Sequence, residues 1–302
     1  MQSSTLLIWN PVLGQFVVSA PHRMHRQEGA SECAFCADIE EGRVGADAQV
    51  WLHRNDYPAL VPPVGEAYVV IYHRDHQRTF TQLTVEEVAS VVFLWRGLYR
   101  ELAGRYPAVM IFENSGEAIG QTQYHPHGQA FGVSVIPPTL ERELESVARD
   151  MESGRGCPFC LVRAELTGSA HEVAANGGWQ AFLPPFVRYP YEVHLYPRRH
   201  VADLAGMEEG ELRDLADLLL RVIRGYDALY DGGMAPMPYM LGIHQLADER
   251  FHLHVEIQAV GRAPGKLKYT ASSEALWGLW INDSSPVEKA KEMREAIARV
   301  AW

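Results

Sequence analysis

Apolar residues recur at three- and four-residue intervals along residues 84–102 and again along 208–228. That spacing predicts two long amphipathic helices, each with one face for a core. Shorter runs rich in β-branched and aromatic residues read as strands: AYVVIYH at 67–73, AVMIF at 108–112 and PYEVHLY at 190–196. FHLHVEIQA at 251–259 alternates strictly, which sets His252, His254 and Glu256 on one face of a strand. Helical patterns return at 140–153 and at 286–300, the latter after the turn NDSSP.

The predicted elements occur twice in the same order. Cys33 and Cys36 precede Cys157 and Cys160 by 124 residues, and His76 precedes His200 by the same 124. Leu83, before the first long helix, lies 124 residues ahead of Met207, before the second. His125 and His127 then match His252 and His254 at 127, a slip of three that one loop insertion absorbs. The series predicts two copies of one α+β unit. We place them at residues 1–139 and 140–302; no linker rich in Pro, Gly or Ser parts them, so a shared sheet or a tight interface is expected.

Composition narrows the function. The chain has 302 residues, is 47% hydrophobic and carries a formal net charge of −11 with no concentrated basic patch. Nucleic acid is therefore not the expected partner, although a small phosphorylated substrate needs only local positive charge. No apolar run reaches membrane-spanning length, and MQSSTLLIWNPVLG lacks the basic start of a signal peptide, so a cytoplasmic protein is expected. All four cysteines sit in C-x-x-C pairs, which in that compartment favours thiolates holding zinc over disulfides. A redox C-x-x-C ordinarily opens a helix, whereas these pairs read as knuckles on loops.

The chemistry concentrates in YHPHGQ at 124–129. Pro126 biases His125 toward extended backbone, and an extended segment turns His125 and His127 to one face. One imidazole can then hold a metal while the other attacks an electrophile. Cys33, Cys36, His76 and His125 make a Cys2His2 set suited to tetrahedral zinc, with no coordination position left for catalysis. In the second copy the duplication predicts Cys157, Cys160, His200 and His252. A competing set is Glu143, His244, His252 and His254, and because both need His252 they exclude one another as written. Thiolate softness favours the sulfur set, leaving Glu143 and His254 without a metal.

These residues identify a family resemblance. NPVLGQ from Asn10, PHR from Pro21, NDYPAL from Asn55, FEN from Phe112 and HPHGQ from His125, with an N-x-G-x-x-x-G lead-in from Asn114, resemble galactose-1-phosphate uridylyltransferase. This is a two-repeat branch of the histidine triad superfamily, and the match spans nearly the whole chain. The fold implied is a duplicated histidine-triad-like α+β unit, with antiparallel sheets and flanking helices. The resemblance implies that His127 is the nucleophile, that Gln129 steadies the phosphoryl group, and that Asn55, Asp56, Phe112 and Asn114 hold uridine and ribose. Gly120 and Thr122 would lie near the phosphates, Thr122 standing where serine is usual, and Arg23 and Arg26 would meet phosphate. Lys268 and Glu274 match the residues that reach the sugar, often from the second subunit of a homodimer. There the chain departs from the pattern, with Ser273 in place of tyrosine and Trp280 in place of glutamine. UDP-sugar and hexose 1-phosphate are the implied substrates.

Chemistry read from the residues alone agrees: an imidazole displaces hexose 1-phosphate from a nucleotide sugar, holds the nucleotidyl group, then passes it on. In the second copy Glu256 replaces Gln129 and would repel phosphate, so that copy is expected to be structural. Three alternatives stay open: a nucleotide-sugar phosphorylase, a dinucleoside polyphosphate phosphorylase or hydrolase, and a non-catalytic zinc-stabilised nucleotide-binding module.

Overall fold

The computed structural model describes residues 5–25, 33–55 and 57–300. After a separate hairpin of β1 (Leu6–Asn10) and β2 (Gln15–Ser19), the first unit runs α1 (Ala34–Glu40), β3 (Trp51–Arg54), β4 (Gly65–Ile71), α2 (Val85–Ala103), β5 (Ala108–Ser115) and β6 (His127–Val133). Two helices follow, α3 (Pro138–Glu152) and α4 (Pro158–Leu166), then β7 (Glu172–Ala175), β8 (Trp179–Phe182), β9 (Tyr191–Pro197), α5 (Glu209–Ala228), β10 (Tyr239–His244) and β11 (His254–Ala259). The short pair β12 (Gly261–Ala263) and β13 (Lys266–Leu267) leads to α6 (Ser272–Trp277) and α7 (Pro286–Arg299).

The two units share one antiparallel sheet of nine strands in the order β3-β4-β6-β5-β10-β11-β9-β8-β7. The join is β5 against β10, where Ile111 through Ser115 pair with Ile243 through Tyr239. Each unit closes with its histidine strand, β6 or β11, inside the sheet rather than at an edge. Gln129–Val133 of β6 and Val255–Ala259 of β11 are paired on both sides, and His127 and His254 on one, which holds the functional side chains at fixed register.

The long helices α2 and α5 lie side by side across one face. Val88, Val91, Val92, Trp95 and Leu102 from α2 meet the core with Leu212, Leu215, Leu219 and Ile223 from α5, all buried. The start of α2 is fixed by Thr84, whose hydroxyl accepts from Glu87 N–H at 3.2 Å while Glu87 accepts from Thr84 N–H at 2.7 Å. Arg224 of α5 crosses the unit boundary, donating to the Thr81 and Leu83 carbonyls at 2.9 and 3.0 Å. On the other face, Phe35 of α1 packs against His127, and Phe159 of α4 against His254. Among the described residues no helix is long and apolar enough to cross a membrane.

Two expectations change. Cys33 and Cys157 are not on plain loops: they cap α1 and α4 in extended geometry, so each C-x-x-C opens a short helix. A helical turn brings residues three apart to one side, which is how both sulfurs of a pair point the same way. The HxH segments are also only half strand, because β6 and β11 begin at His127 and His254, leaving His125 and His252 just before them.

Leu219 is fully buried between the helices and the sheet. Leu219→Ala is expected to cost about 2–5 kcal/mol of unfolding free energy. Denaturant titration checks this, and an unchanged midpoint would remove α5 from the shared core.

Candidate active site

His127 opens β6 beside Ile71 of β4, and Gln129, two residues on, pairs with Phe112 of β5. The period of two sets both side chains on the face covered by α1. His127 Nδ1–H donates to the backbone carbonyl of His125 at 2.7 Å, which fixes the tautomer and makes Nε2 the basic nitrogen. Asn114 lies on the same strand face as Phe112, and Phe112 stacks edge-on to Phe131 with ring centroids 4.9 Å apart. Asn55 follows β3, and its side-chain oxygen accepts from Tyr57 N–H at 2.9 Å, turning the chain. Gly120 takes a left-handed backbone, φ 86°, that ends a one-turn helix, and Thr122 follows on an exposed loop. Arg23 is half-buried in a short helix at Pro21–His25. Arg26 and Asp56 lie outside the described residues.

Behind His127 sits the first sulfur–imidazole group. Cys33, Cys36, His76 and His125 each bring a ligand atom within 4.8 Å of the others. His125 is fully buried, donates Nε2–H to the His73 carbonyl at 2.7 Å, and so turns Nδ1 toward both sulfurs at 3.7 Å. Burial holds its pKa down to about 4, keeping the ring neutral as a ligand must be. The structure brings together Cys157, Cys160, His200 and His252 in the same way, with Cys160 Sγ 3.4 Å from both His200 Nδ1 and His252 Nδ1. Both groups could hold a metal ion.

A third group keeps three members of the competing set, Glu143, His244 and His254, and exchanges His252 for Glu256. Glu143, His244, His254 and Glu256 also converge within 4.8 Å. The rivalry for His252 therefore dissolves: His252 turns to the thiols, and Glu256 completes the other set. Glu143 and His254, expected to stand apart from any metal, belong to a group that could hold one. His244 Nδ1 meets Glu143 at 2.9 Å, and His254 Nδ1 donates to the His252 carbonyl at 2.9 Å, repeating the His127 arrangement. Burial alone would raise Glu256, but His194, His244 and Arg188 outweigh it and hold its carboxyl well below the usual range. A ligating Glu two residues after HxH follows from the strand alternation already noted; what the sequence hides is that Arg188 and Glu192 crowd the same spot.

Glu143, His254 and Glu256 of this group line a cavity of about 600 Å³ with Phe159, Phe186, Arg142 and Trp280. His254 opens β11 in the second unit as His127 opens β6 in the first. Lys268 and Glu274 are elsewhere: Lys268 Nζ donates to Glu274 at 3.2 Å and to the Ile281 carbonyl at 2.6 Å. Their hydrogen bonds stay within the C-terminal segment.

An imidazole with a fixed tautomer, a glutamine on the same strand face and a sulfur–imidazole group behind it define a nucleotidyl-transferring protein of duplicated α+β fold. Comparison with known proteins names the family. Residues 46–137 match Galactose-1-phosphate uridyl transferase, N-terminal domain, and residues 158–264 match its C-terminal domain. The chain is 30% identical to galactose-1-phosphate uridylyltransferase of Thermotoga maritima, over 97% of this chain and 99% of that protein. The Streptomyces lividans enzyme of the same name is 32% identical, over 78% of this chain and 68% of its own. A solved uridylyltransferase structure superposes with TM-score 0.88 at 26% identity, covering 98% of this chain and 99% of that one. The chain belongs to the galactose-1-phosphate uridylyltransferase family.

Cys33→Ser is expected to lower both bound metal and melting temperature, since a closed metal group contributes to folding directly. Metal content by plasma mass spectrometry alongside thermal melting checks this. Wild-type melting with no metal lost from the variant would show that these residues pack without an ion.

Proposed function

We propose that the chain exchanges UMP between UDP-glucose and galactose 1-phosphate through a uridylyl group held on His127. The observation that carries the reading is the His127–His125 carbonyl hydrogen bond on the strand that also presents Gln129. Nε2 attacks the α-phosphorus; the N–P bond forms as the bond to the sugar phosphate oxygen breaks, and hexose 1-phosphate leaves with that electron pair. The Nδ1 proton stays in its hydrogen bond to the His125 carbonyl, which stabilises the charge on the ring. The Gln129 amide donates to a non-bridging phosphoryl oxygen without adding a charge that would trap the intermediate. A second hexose 1-phosphate attacks the same phosphorus, the N–P bond breaks, and the imidazole returns neutral.

Asn55, Asp56, Phe112 and Asn114 hold the nucleoside in this reading. Gly120, Thr122, Arg23 and Arg26 serve the phosphates. The N-terminal unit, residues 1–139, does the chemistry, and the C-terminal unit, 140–302, supports it and supplies the sugar contacts Lys268 and Glu274. Zinc fills both Cys2His2 groups, because two thiolates and two imidazoles suit a soft tetrahedral ion; a shell closed by four protein ligands gives it a structural part.

His127→Gly is expected to abolish turnover while keeping the fold. Intact mass after incubation with UDP-glucose should show a covalent adduct in the wild type only, with one hexose 1-phosphate released per adduct. Wild-type turnover by the glycine variant would sink the assignment.

A homodimer is the active form in this reading. Leu276, Trp277 and Leu279 are exposed, Trp277 by 76%, on the segment that carries Glu274, and such a patch suits an interface. Light scattering at catalytic concentration should give twice the chain mass of 33.9 kDa. Full activity from a single chain would count against it.

A further inference from the structure

Glu113 stands between Phe112 and Asn114, yet the alternation along β5 turns it to the helix-covered face of the sheet. Its carboxyl is buried there, with Oε1 accepting from the Tyr239 hydroxyl at 2.6 Å. Oε2 has no hydrogen-bond partner, and neither has the Tyr72 hydroxyl or the Trp95 indole N–H. Tyr72 and Trp95 pack edge to face with ring centroids 5.9 Å apart. Among the described residues Glu113 forms no ion pair. A buried carboxyl group without a cation is far easier to keep as the acid than as the anion. Burial accordingly pushes its pKa up to about 7, although the Tyr239 and Tyr72 hydroxyls favour the anion.

Tyr72 connects this buried cluster to the nucleophile's strand. Its backbone N–H donates to the Pro126 carbonyl at 3.0 Å. Its hydroxyl fills the space in front of Gly128, where an added Cβ would come within 2.0 Å of Oη and 3.1 Å of the Phe112 carbonyl. Only glycine fits between His127 and Gln129 because the Tyr72 hydroxyl already occupies the site of a side chain.

We propose that Glu113 is a positioning residue for the nucleophile: across the strands from Gly128 and tied to Tyr239, it backs the Tyr72 ring whose hydroxyl fills the place of a Gly128 side chain, and so fixes how β6 presents His127 and Gln129 to the phosphoryl group. The proposal rests on His127 being the nucleophile. Glu113 acts from behind the sheet and touches no substrate. The titratable groups facing it are Tyr72 from the end of β4 and Tyr239 from β10; α2 contributes Trp95, which does not titrate. Ionisation of Glu113 would place an uncompensated charge beside Tyr72 and disturb the contact with Gly128.

Four proteins test this: wild type, Glu113→Gln, Glu113→Ala and Tyr72→Phe, each assayed for the burst of hexose 1-phosphate and for steady-state kcat and KM. Glu113→Ala and Tyr72→Phe should lose about tenfold or more in kcat and burst rate with little change in KM, the signature of misplaced reacting groups. Glu113→Gln keeps shape and neutrality and should retain most of the rate. Its activity should also hold above neutral pH, where the wild type declines as Glu113 ionises. A second readout needs no activity. The folded chain keeps the Glu113 proton up to about pH 7, whereas the unfolded chain releases it in the usual carboxyl range. Stability of the wild type relative to Glu113→Gln should therefore fall from about pH 4.5 to pH 7 and stay level above. A wild-type rate in Tyr72→Phe, or a loss in Glu113→Gln as deep as in Glu113→Ala, overturns the proposal. A wild type without any burst overturns the nucleophile assignment instead.

Discussion

The structure turns on a hydrogen bond between two residues of one motif. The His125 ring commits its Nδ1 to the sulfur pair and its Nε2 to the His73 carbonyl, while its own backbone carbonyl orients His127. Whatever fixes His125 therefore fixes the tautomer of His127. The sulfur–imidazole group beside β6 then has a physical purpose, since it immobilises the acceptor of that hydrogen bond. The two imidazoles are not interchangeable, because His125 is buried with both ring nitrogens engaged while His127 is half-buried.

The second unit keeps the same skeleton and gives it different work. His254 leans on the His252 carbonyl as His127 leans on His125. Glu256 stands at the position of Gln129, but it is drawn into Arg188 and the surrounding histidines rather than left to face a phosphate. Two carboxylates and two imidazoles in a largely enclosed group favour a cation, whereas the uncharged Gln129 amide at the matching place in the first unit does not repel an anion. One backbone has thus been tuned in opposite electrostatic directions by a few side chains.

Much of this was legible in the sequence because duplication makes spacing informative. The helices at 84–102 and 208–228 appear within a residue or two as α2 and α5, since long amphipathic runs leave little choice of partner. The constant offset also grouped Cys157, Cys160 and His200, and the matching HxH segment added His252, residues far apart along the chain. Three things were hidden. The C-x-x-C helices are only seven and nine residues long, too short for a periodic signal. That Glu256 rather than His252 joins Glu143, His244 and His254 depends on how α3, β10 and β11 meet, which is long-range packing that no local pattern encodes. Glu113 looked like one letter in a substrate motif, and only strand alternation together with the Tyr72 contact reveals that it faces away.

The continuous sheet has a kinetic meaning. Many transferases open and shut by rotating one lobe on another about a few flexible residues. Here the boundary between the units is a ladder of backbone hydrogen bonds from Ile111 to Ser115, and it leaves no line about which the halves could swing. Whatever movement accompanies the exchange of one sugar phosphate for another must then come from side chains and loops, not from one unit turning on the other.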